Sequence, residues 1–394
     1  MLPVGETLLD KESYRNREQT YIKHFVLERY LERLAFKIGM GTSGPTLNYV
    51  DGFAGPWKHA DEGLQDTSPF IAISKLRDVR TALRERNRSF RFRCLFIEKE
   101  RGPFRQLESE ARTVSDAEII ALHGKFEDYV PNAATFASAG RKPFAFFFID
   151  PTGWTGYRMS ALKRLLDVHP SEILINFMTS FVDRFVHRDT PALRSGFQDL
   201  FGDGDFRHEW RSLEGLDRED AIVEAYCRRI RDVGRFQFVG SAVVLKPDFD
   251  RSLYHLVYAT RHPKGIEVFR EVEEKAFSHQ SEFRSDLAQS RRVSRTGQGE
   301  LFQAASLSGS YEASLIHRYR TRSKAALKDL LRKENRTPYD RAEEVALSFP
   351  LTSSRQLKEW IAEWGADGRI KVEGLTARER VPKARRGHFL VWQT

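Results

Sequence analysis

The chain has 394 residues, 40% of them apolar and 30% charged, with a net charge of +9 and two cysteines. That length exceeds what one hydrophobic core usually fills and predicts two domains. With only Cys94 and Cys227, a disulfide framework or a multi-thiolate zinc site is excluded, and the eleven histidines lack the paired spacing of ligands, so no metal is expected.

No stretch approaches the roughly 18 apolar residues of a membrane span. The N-terminal "MLPVGETLLDKESYRNREQT" lacks the charged-then-apolar order of a signal peptide, so a cytoplasmic protein without a membrane partner is expected. The positive charge is uneven: residues 311–394 hold 18 Lys and Arg against 11 Asp and Glu, a surplus of 7. An acidic partner for the tail follows from that bias.

The first predicted element is an amphipathic helix in "YIKHFVLERYLERLAFKIG", with Tyr21, Phe25, Leu27, Leu31, Leu34 and Ile38 at near-helical spacing and Gly39 and Gly41 closing it. Apolar runs bounded by turn residues come next: "TLNYVDGFAG", "FRFRCLFIEKE", "AEIIALHGKFED", "KPFAFFFIDPTGW" and "SEILINFMTSF". Charged helical segments separate them, which indicates a parallel sheet. "FAFFFI" has no apolar/polar alternation and reads as a central strand covered on both faces. "RFQFVGSAVVLKP" and "SLYHLVYATRHPKG", joined by "DFDRS", read as a terminal antiparallel hairpin.

Residues 277–310, rich in Ser, Gln, Arg and Gly, read as a linker between a first domain, 1–276, and a tail domain, 311–394. In the tail, three helical segments precede two short strands, "RIKVEG" and "GHFLVWQT", with a basic loop between them. That order predicts a winged helix-turn-helix domain. Arg378, Arg380, Lys383, Arg385 and Arg386 fall in the wing, where they would contact nucleic-acid phosphates or form an ordinary solvated face.

In an open parallel sheet, ligands bind beyond the carboxyl ends of the strands. Acids stand there: Asp51 after "LNYV", Glu98 after "CLFI", Glu127 and Asp128 beyond "IIALHG", and Asp150 after "FAFFFI". Gly52 and Gly55 are small enough for a ligand to approach the backbone, as in many ordinary strand-to-helix turns. Glu98 suits ribose hydroxyls, or is simply a solvated member of "EKER". The 47 positions from Asp51 to Glu98, against about 20 in the nicotinamide fingerprint, argue against an NAD site. The inserted "WKHADEGLQDT" explains part of that excess or forms a lid. No P-loop is present, and "EKE" departs from the acid-any-lysine order of metal-dependent nucleases.

"DPTGW" resembles the Asp/Asn-Pro-Pro-aromatic motif of S-adenosylmethionine-dependent amino-methyltransferases, with two departures: Thr152-Gly153 replaces the second proline, and the aromatic lies one position later. The resemblance implies that Asp150 and Pro151 hold a target amine and that Trp154 stacks on the base. Without it, the stretch is a strand-end turn with a half-buried tryptophan. In order, "YVDGFAGP", "FIEKE", "HGKFEDY", "FIDPTGW" and the hairpin resemble the Rossmann-like class I methyltransferase sheet. "YVDGFAGPW", "FFFIDPTGW", "EILINFMTSFVDRF" and "YHLVYATRHPKG" more narrowly resemble the three-Cys-motif partner family over residues 20–275, which implies a radical-S-adenosylmethionine companion protein carrying the three cysteines.

On this reading Asp51, Gly52, Phe53 and Gly55 seat the methionine portion of S-adenosylmethionine, Glu98 the ribose, and Glu127 or Asp128 the adenine. Asp150, Pro151, Trp154 and Asn176 face the target, a nucleobase amine of DNA or RNA. Carbon-5 cytosine chemistry is disfavoured, because neither cysteine lies near this loop. The alternative is a non-catalytic partner protein that binds the cofactor or a nucleic acid.

Overall fold

A computed structural model describes residues 7, 9–55, 67–202, 207–296 and 305–393. The first part runs α1 (Glu18–Gly41), β1 (Thr46–Asp51), α2 (Ser68–Arg84), β2 (Arg91–Glu98), α3 (Arg101–Thr113), β3 (Glu118–His123), α4 (Val130–Ala137), β4 (Pro143–Ile149), α5 (Met159–Leu166), β5 (Ser171–Phe177), α6 (Thr179–Phe185), α7 (Pro191–Phe201), α8 (Arg207–Arg211), α9 (Gly215–Gly234), β6 (Phe238–Leu245), β7 (Ser252–Thr260) and α10 (Pro263–Thr296). The tail adds α11 (Ala305–Glu334), β8 (Arg336–Pro338), α12 (Tyr339–Ala346), α13 (Ser354–Ala366), β9 (Ile370–Glu373) and β10 (Phe389–Trp392).

The first seven strands form one sheet in the order β3-β2-β1-β4-β5-β7-β6. β1 to β5 pair in parallel, and β7 runs antiparallel to both β5 and β6. Strand alternation sends successive side chains of β4 to opposite faces. Phe146 and Phe148 join the core under α1, α2 and α10, while Ala145, Phe147 and Ile149 join the core under α4, α5 and α9. This is the doubly covered strand expected from "FAFFFI", and the whole is an α/β fold with a mostly parallel seven-stranded sheet closed by the expected hairpin.

The expected linker at 277–310 is corrected over its described part. Residues 277–296 continue α10, and α11 begins at Ala305. Few large apolar residues are needed there because the buried stripe is polar and serves the edge strand β6. Gln280 accepts from the Leu245 N–H at 2.7 Å and donates to the Val243 carbonyl at 3.0 Å. Arg284 donates to Glu312 of α11 at 2.5 Å. A sheet edge is thereby covered by a helix rather than left open.

The tail is three helices with a three-stranded antiparallel sheet in the order β8-β10-β9, one strand more than the two read from the sequence. Leu327, Leu331, Tyr339, Trp360, Trp364 and Leu390 form its core. Ser353 and Gln356 close a capping box at the start of α13.

Candidate functional site

The order of the strands reverses between β1 and β4, and beyond their carboxyl ends lies the crevice where open α/β sheets bind ligands. The chain leaving β1 is tied to both neighbours: the Gly52 N–H donates to Phe148 and the Ala54 N–H to Ile97, each at 3.0 Å. Asp51 is fully buried at the base of this turn. Its carboxylate accepts from the Ser68 hydroxyl at 2.6 Å, the Phe53 N–H at 3.0 Å and the Tyr49 hydroxyl at 3.4 Å.

Burial pushes the Asp51 carboxyl up to about 7; Ser68 and the Phe53 N–H pull it down, Asp150 adds to the rise, and Lys23 opposes it. A carboxyl raised in the folded state binds more protons there than in the unfolded chain, so its stabilising share is complete below about pH 4 and lost as pH rises through about 7. Asp51→Asn is expected to flatten part of the fall in stability across that window, measured as denaturation midpoints against pH. Only a part is removed, because burial also raises Glu219 to about 7 and Glu343 to about 8. A slope identical to wild type would assign the titration to those other acids.

Glu98 ends β2 and is 8% exposed. It accepts from the Gly55 N–H at 2.8 Å and from the Glu100 N–H, so it fixes the glycine turn against its own strand end. The two glycines differ in what they permit. A side chain at Gly52 would meet the Phe126 ring at 2.7 Å, so that glycine admits Phe126 rather than a ligand. Gly55 has φ +66°, and among the described residues nothing lies within 4 Å of where a Cβ would stand, which suits close approach from outside. Phe53 packs its ring on Phe126, with centroids 5.3 Å apart, and walls the same side. Pro56, Trp57 and all of the expected lid but Thr67 lie outside the described residues.

Glu127 is held by Arg158, whose N–H donates at 2.8 Å and whose guanidinium donates at 2.7 and 3.0 Å. Burial alone would raise its carboxyl, but these bonds hold it below the ordinary carboxylate range. Asp128 beside it is exposed, which leaves it the more accessible of the two candidates for adenine.

Asp150 is brought to the same crevice, but with partners the sequence did not reveal. Lys23, near the start of α1, forms an ion pair with its carboxylate, and the Asn176 amide donates to it at 2.7 Å. Asn176 is 4% exposed, and its Oδ1 has no hydrogen-bond partner among the described residues. Pro151 is buried. Trp154 is half-buried, stacked on Phe185 at 5.7 Å and edge-on to Phe197 at 5.2 Å, so one face of its ring is already occupied by α6.

Both cysteines are buried, and burial raises each thiol, Cys227 to about 12. Neither is a thiolate nucleophile near neutral pH. Among the described residues no group of three or more His, Cys, Asp or Glu side chains is arranged to hold a metal ion, and no helix is long and apolar enough to cross a membrane.

The five basic residues of the β9–β10 loop are all exposed. Their position relative to the crevice was not legible in the sequence. The Arg385 N–H donates to Asp340 at 2.8 Å, and its guanidinium donates to the Arg261 carbonyl, just beyond β7, at 3.1 Å. Because β7 is reversed, Arg261 lies beside the amino ends of β4 and β5, at the opposite edge from Asp51, Glu98 and Asp150.

No family model and no curated protein matches the chain. Among solved structures it is similar to protein LPL1258 from Legionella pneumophila str. Philadelphia 1, of the family model DUF519, at 13% identity and a TM-score of 0.41, covering 66% of this chain and 92% of that one. It is also similar to a loganic acid methyltransferase solved with SAH, at 9% identity and a TM-score of 0.30, covering 73% of this chain and 92% of that one.

Proposed function

We propose that the chain is an S-adenosylmethionine-dependent methyltransferase-like protein whose cofactor lies across the carboxyl ends of β1 and β2 and whose target is a nucleobase amine. The observation that carries this reading is the pairing of two acids with one open turn at the point where strand order reverses: buried Asp51 beneath Gly55, and Glu98 bonded to the Gly55 N–H. Asp51 supplies a counter-charge for the cationic methionine end, Glu98 an acceptor for the ribose hydroxyls, and Asp128 an acceptor beside the adenine. The target amine would donate to the Asp150 carboxylate and to Asn176 Oδ1, the buried acceptor still without a donor. The likeness to the three-Cys-motif partner family belongs to the same proposal, as does the winged-helix character of the tail, which the three helices and the β8-β10-β9 sheet support.

A cationic ligand favours the ionised form of a carboxyl that is pushed up to about 7. Binding of S-adenosylmethionine near neutral pH is therefore expected to release a fraction of a proton, read by calorimetry in two buffers of different ionisation heat. The release should vanish in Asp51→Asn; binding with no proton release in wild type would remove Asp51 from the site.

A second reading, a non-catalytic partner of a radical-S-adenosylmethionine protein that binds the cofactor or a nucleic acid, is favoured by the Lys23–Asp150 ion pair and by the packing of Trp154. Transfer of labelled methyl to nucleic acid by wild type, lost in Asp150→Ala, would support the first reading. Cofactor binding without transfer, alone or with the companion, would support the second.

A further inference from the structure

At the amino edge of the sheet, remote from Asp51 and Glu98, lies a cavity of about 600 Å³. α1 spans the distance between the two edges. Lys23 stands by Asp150 at one end, and Lys37, fourteen residues on, lines the cavity at the other, about 21 Å away at the helical rise of ~1.5 Å per residue. The walls are apolar, built from Phe144, Pro45, Pro143, Pro170, Ile38 and Val268. At one wall the Glu172 carboxylate is covered by the Tyr30 hydroxyl at 2.6 Å and the Thr260 hydroxyl at 2.8 Å, so hydroxyls and rings, not a bare charge, surround it.

The rim is cationic. Arg33 and Lys264 are paired with Glu271 and Glu267, each at 2.7 Å. Lys37, Lys142 and His262 are exposed and line the same opening. The Lys264 N–H donates to His262 Nδ1 at 3.0 Å, so the neutral ring keeps its proton on Nε2 as a donor. Lys142 is held at φ +45°, a conformation a lysine rarely adopts, by a chain fixed through the Thr46 N–H to the Arg141 carbonyl at 2.9 Å. The bond from Arg385 to the Arg261 carbonyl continues this rim into the basic β9–β10 loop.

Apolar walls with the Phe144 ring and three prolines inside a cationic rim fit an aromatic base with its phosphates, and the continuity with the basic loop fits a strand rather than a free nucleotide. We propose that this edge is a single-stranded nucleic-acid site: one unpaired base enters the cavity against Phe144 and the prolines, while Lys37, Lys142 and Arg385 meet the flanking phosphates. The proposal rests on the nucleic-acid part of the function proposed above and not on its cofactor part. It places the anchoring of a strand on the opposite edge of the sheet from methyl transfer.

The test is fluorescence anisotropy with a labelled single-stranded oligonucleotide, in DNA and RNA versions, and with the same strand in duplex. Gly41 lines the cavity, and among the described residues nothing lies within 4 Å of where a Cβ would stand, so Gly41→Trp fills it without backbone strain. This variant is expected to lose about tenfold in single-strand affinity, with duplex affinity within about twofold of wild type. Lys142→Asn, tolerated at positive φ, combined with Lys37→Gln should lower the salt slope by about 1.4 for two phosphates. A cooperative thermal transition at the wild-type midpoint in both variants is the folding control. Wild-type affinity and slope in both variants, with binding lost only in an Arg378→Ala, Arg380→Ala, Arg386→Ala variant, would overturn this proposal and leave nucleic-acid binding by the tail standing. Wild type binding neither strand nor duplex would overturn both, as would competition by a free mononucleotide equal to that of the strand for the strand-specific part.

Discussion

Arg270→Met is expected to lower the free energy of unfolding by about 3–5 kcal/mol and to detach the tail from the sheet. Arg270 is 1% exposed, and its guanidinium is a buried polar tie between the two parts, beside the bonds of Arg318, Tyr319 and Arg322 to Asp220. It donates to Ser241 of edge strand β6 at 2.8 Å, to the Leu347 carbonyl at the end of α12 at 2.8 and 2.9 Å, and to Ser348 at 3.2 Å. The same group is ion-paired with Glu273 at 2.6 Å, and Glu273 in turn accepts from the Leu351 N–H at 3.2 Å. Methionine fills much of the space but leaves carbonyls without donors and a buried carboxylate without its cation. Burial already raises the Glu273 carboxyl, with Arg270 opposing the rise. Urea denaturation should show an earlier, split transition, and proteolysis between α10 and α11 should quicken. Adding Glu273→Met should recover part of the loss, because it removes the stranded charge. A single transition at the wild-type midpoint would show that packing and the remaining polar ties, such as Arg318 and Arg322 to Asp220, hold the tail without Arg270.

Glu98→Gln is expected to weaken S-adenosylmethionine binding by about 30- to 100-fold, the ~2–3 kcal/mol of charge-assisted bonds to two hydroxyls. Glutamine keeps the shape but exchanges one carboxylate oxygen for an amide nitrogen. One of the two N–H donors on Glu98, from Gly55 or Glu100, then faces another donor, and the turn beside the pocket loosens. Thermal midpoints should fall as well, because one N–H beside the buried Glu98 side chain loses its acceptor. Cofactor affinity within twofold of wild type would place the ribose elsewhere.

Much of the sheet was legible because strand ends are marked by chemistry: four of the five parallel runs of apolar residues stop at a glycine or an acid, and β5 runs on into Met178 and Thr179. Asp51, Glu98 and Asp150 were found this way, and all three border one edge of the sheet. Their partners were not legible. Lys23 and Ser68 are ordinary residues of helical segments until folding brings them against Asp150 and Asp51. The role of Gly52 was misread for a similar reason, since only the fold shows Phe126 filling the space above it.

The part of α10 taken for a linker illustrates a different limit. Hydrophobic periodicity detects helices that bury apolar stripes, whereas Gln280 and Arg284 are buried to satisfy the backbone of an edge strand and a neighbouring helix. β8, three residues long, carries no pattern of its own and is a strand only because β10 pairs with it. The basic loop was read correctly as a loop between strands, but which edge of the sheet it faces is set by tertiary contacts, Arg385 to Arg261 among them, that no local signal encodes.

The measurement that bears most directly on the central claim is calorimetric titration of the wild-type chain with S-adenosylmethionine, repeated with its demethylated product as competitor. The account predicts saturable one-to-one binding, displaced by the product and weakened in Glu98→Gln. No binding by a folded chain, alone or with its companion, would contradict a cofactor site at Asp51 and Glu98.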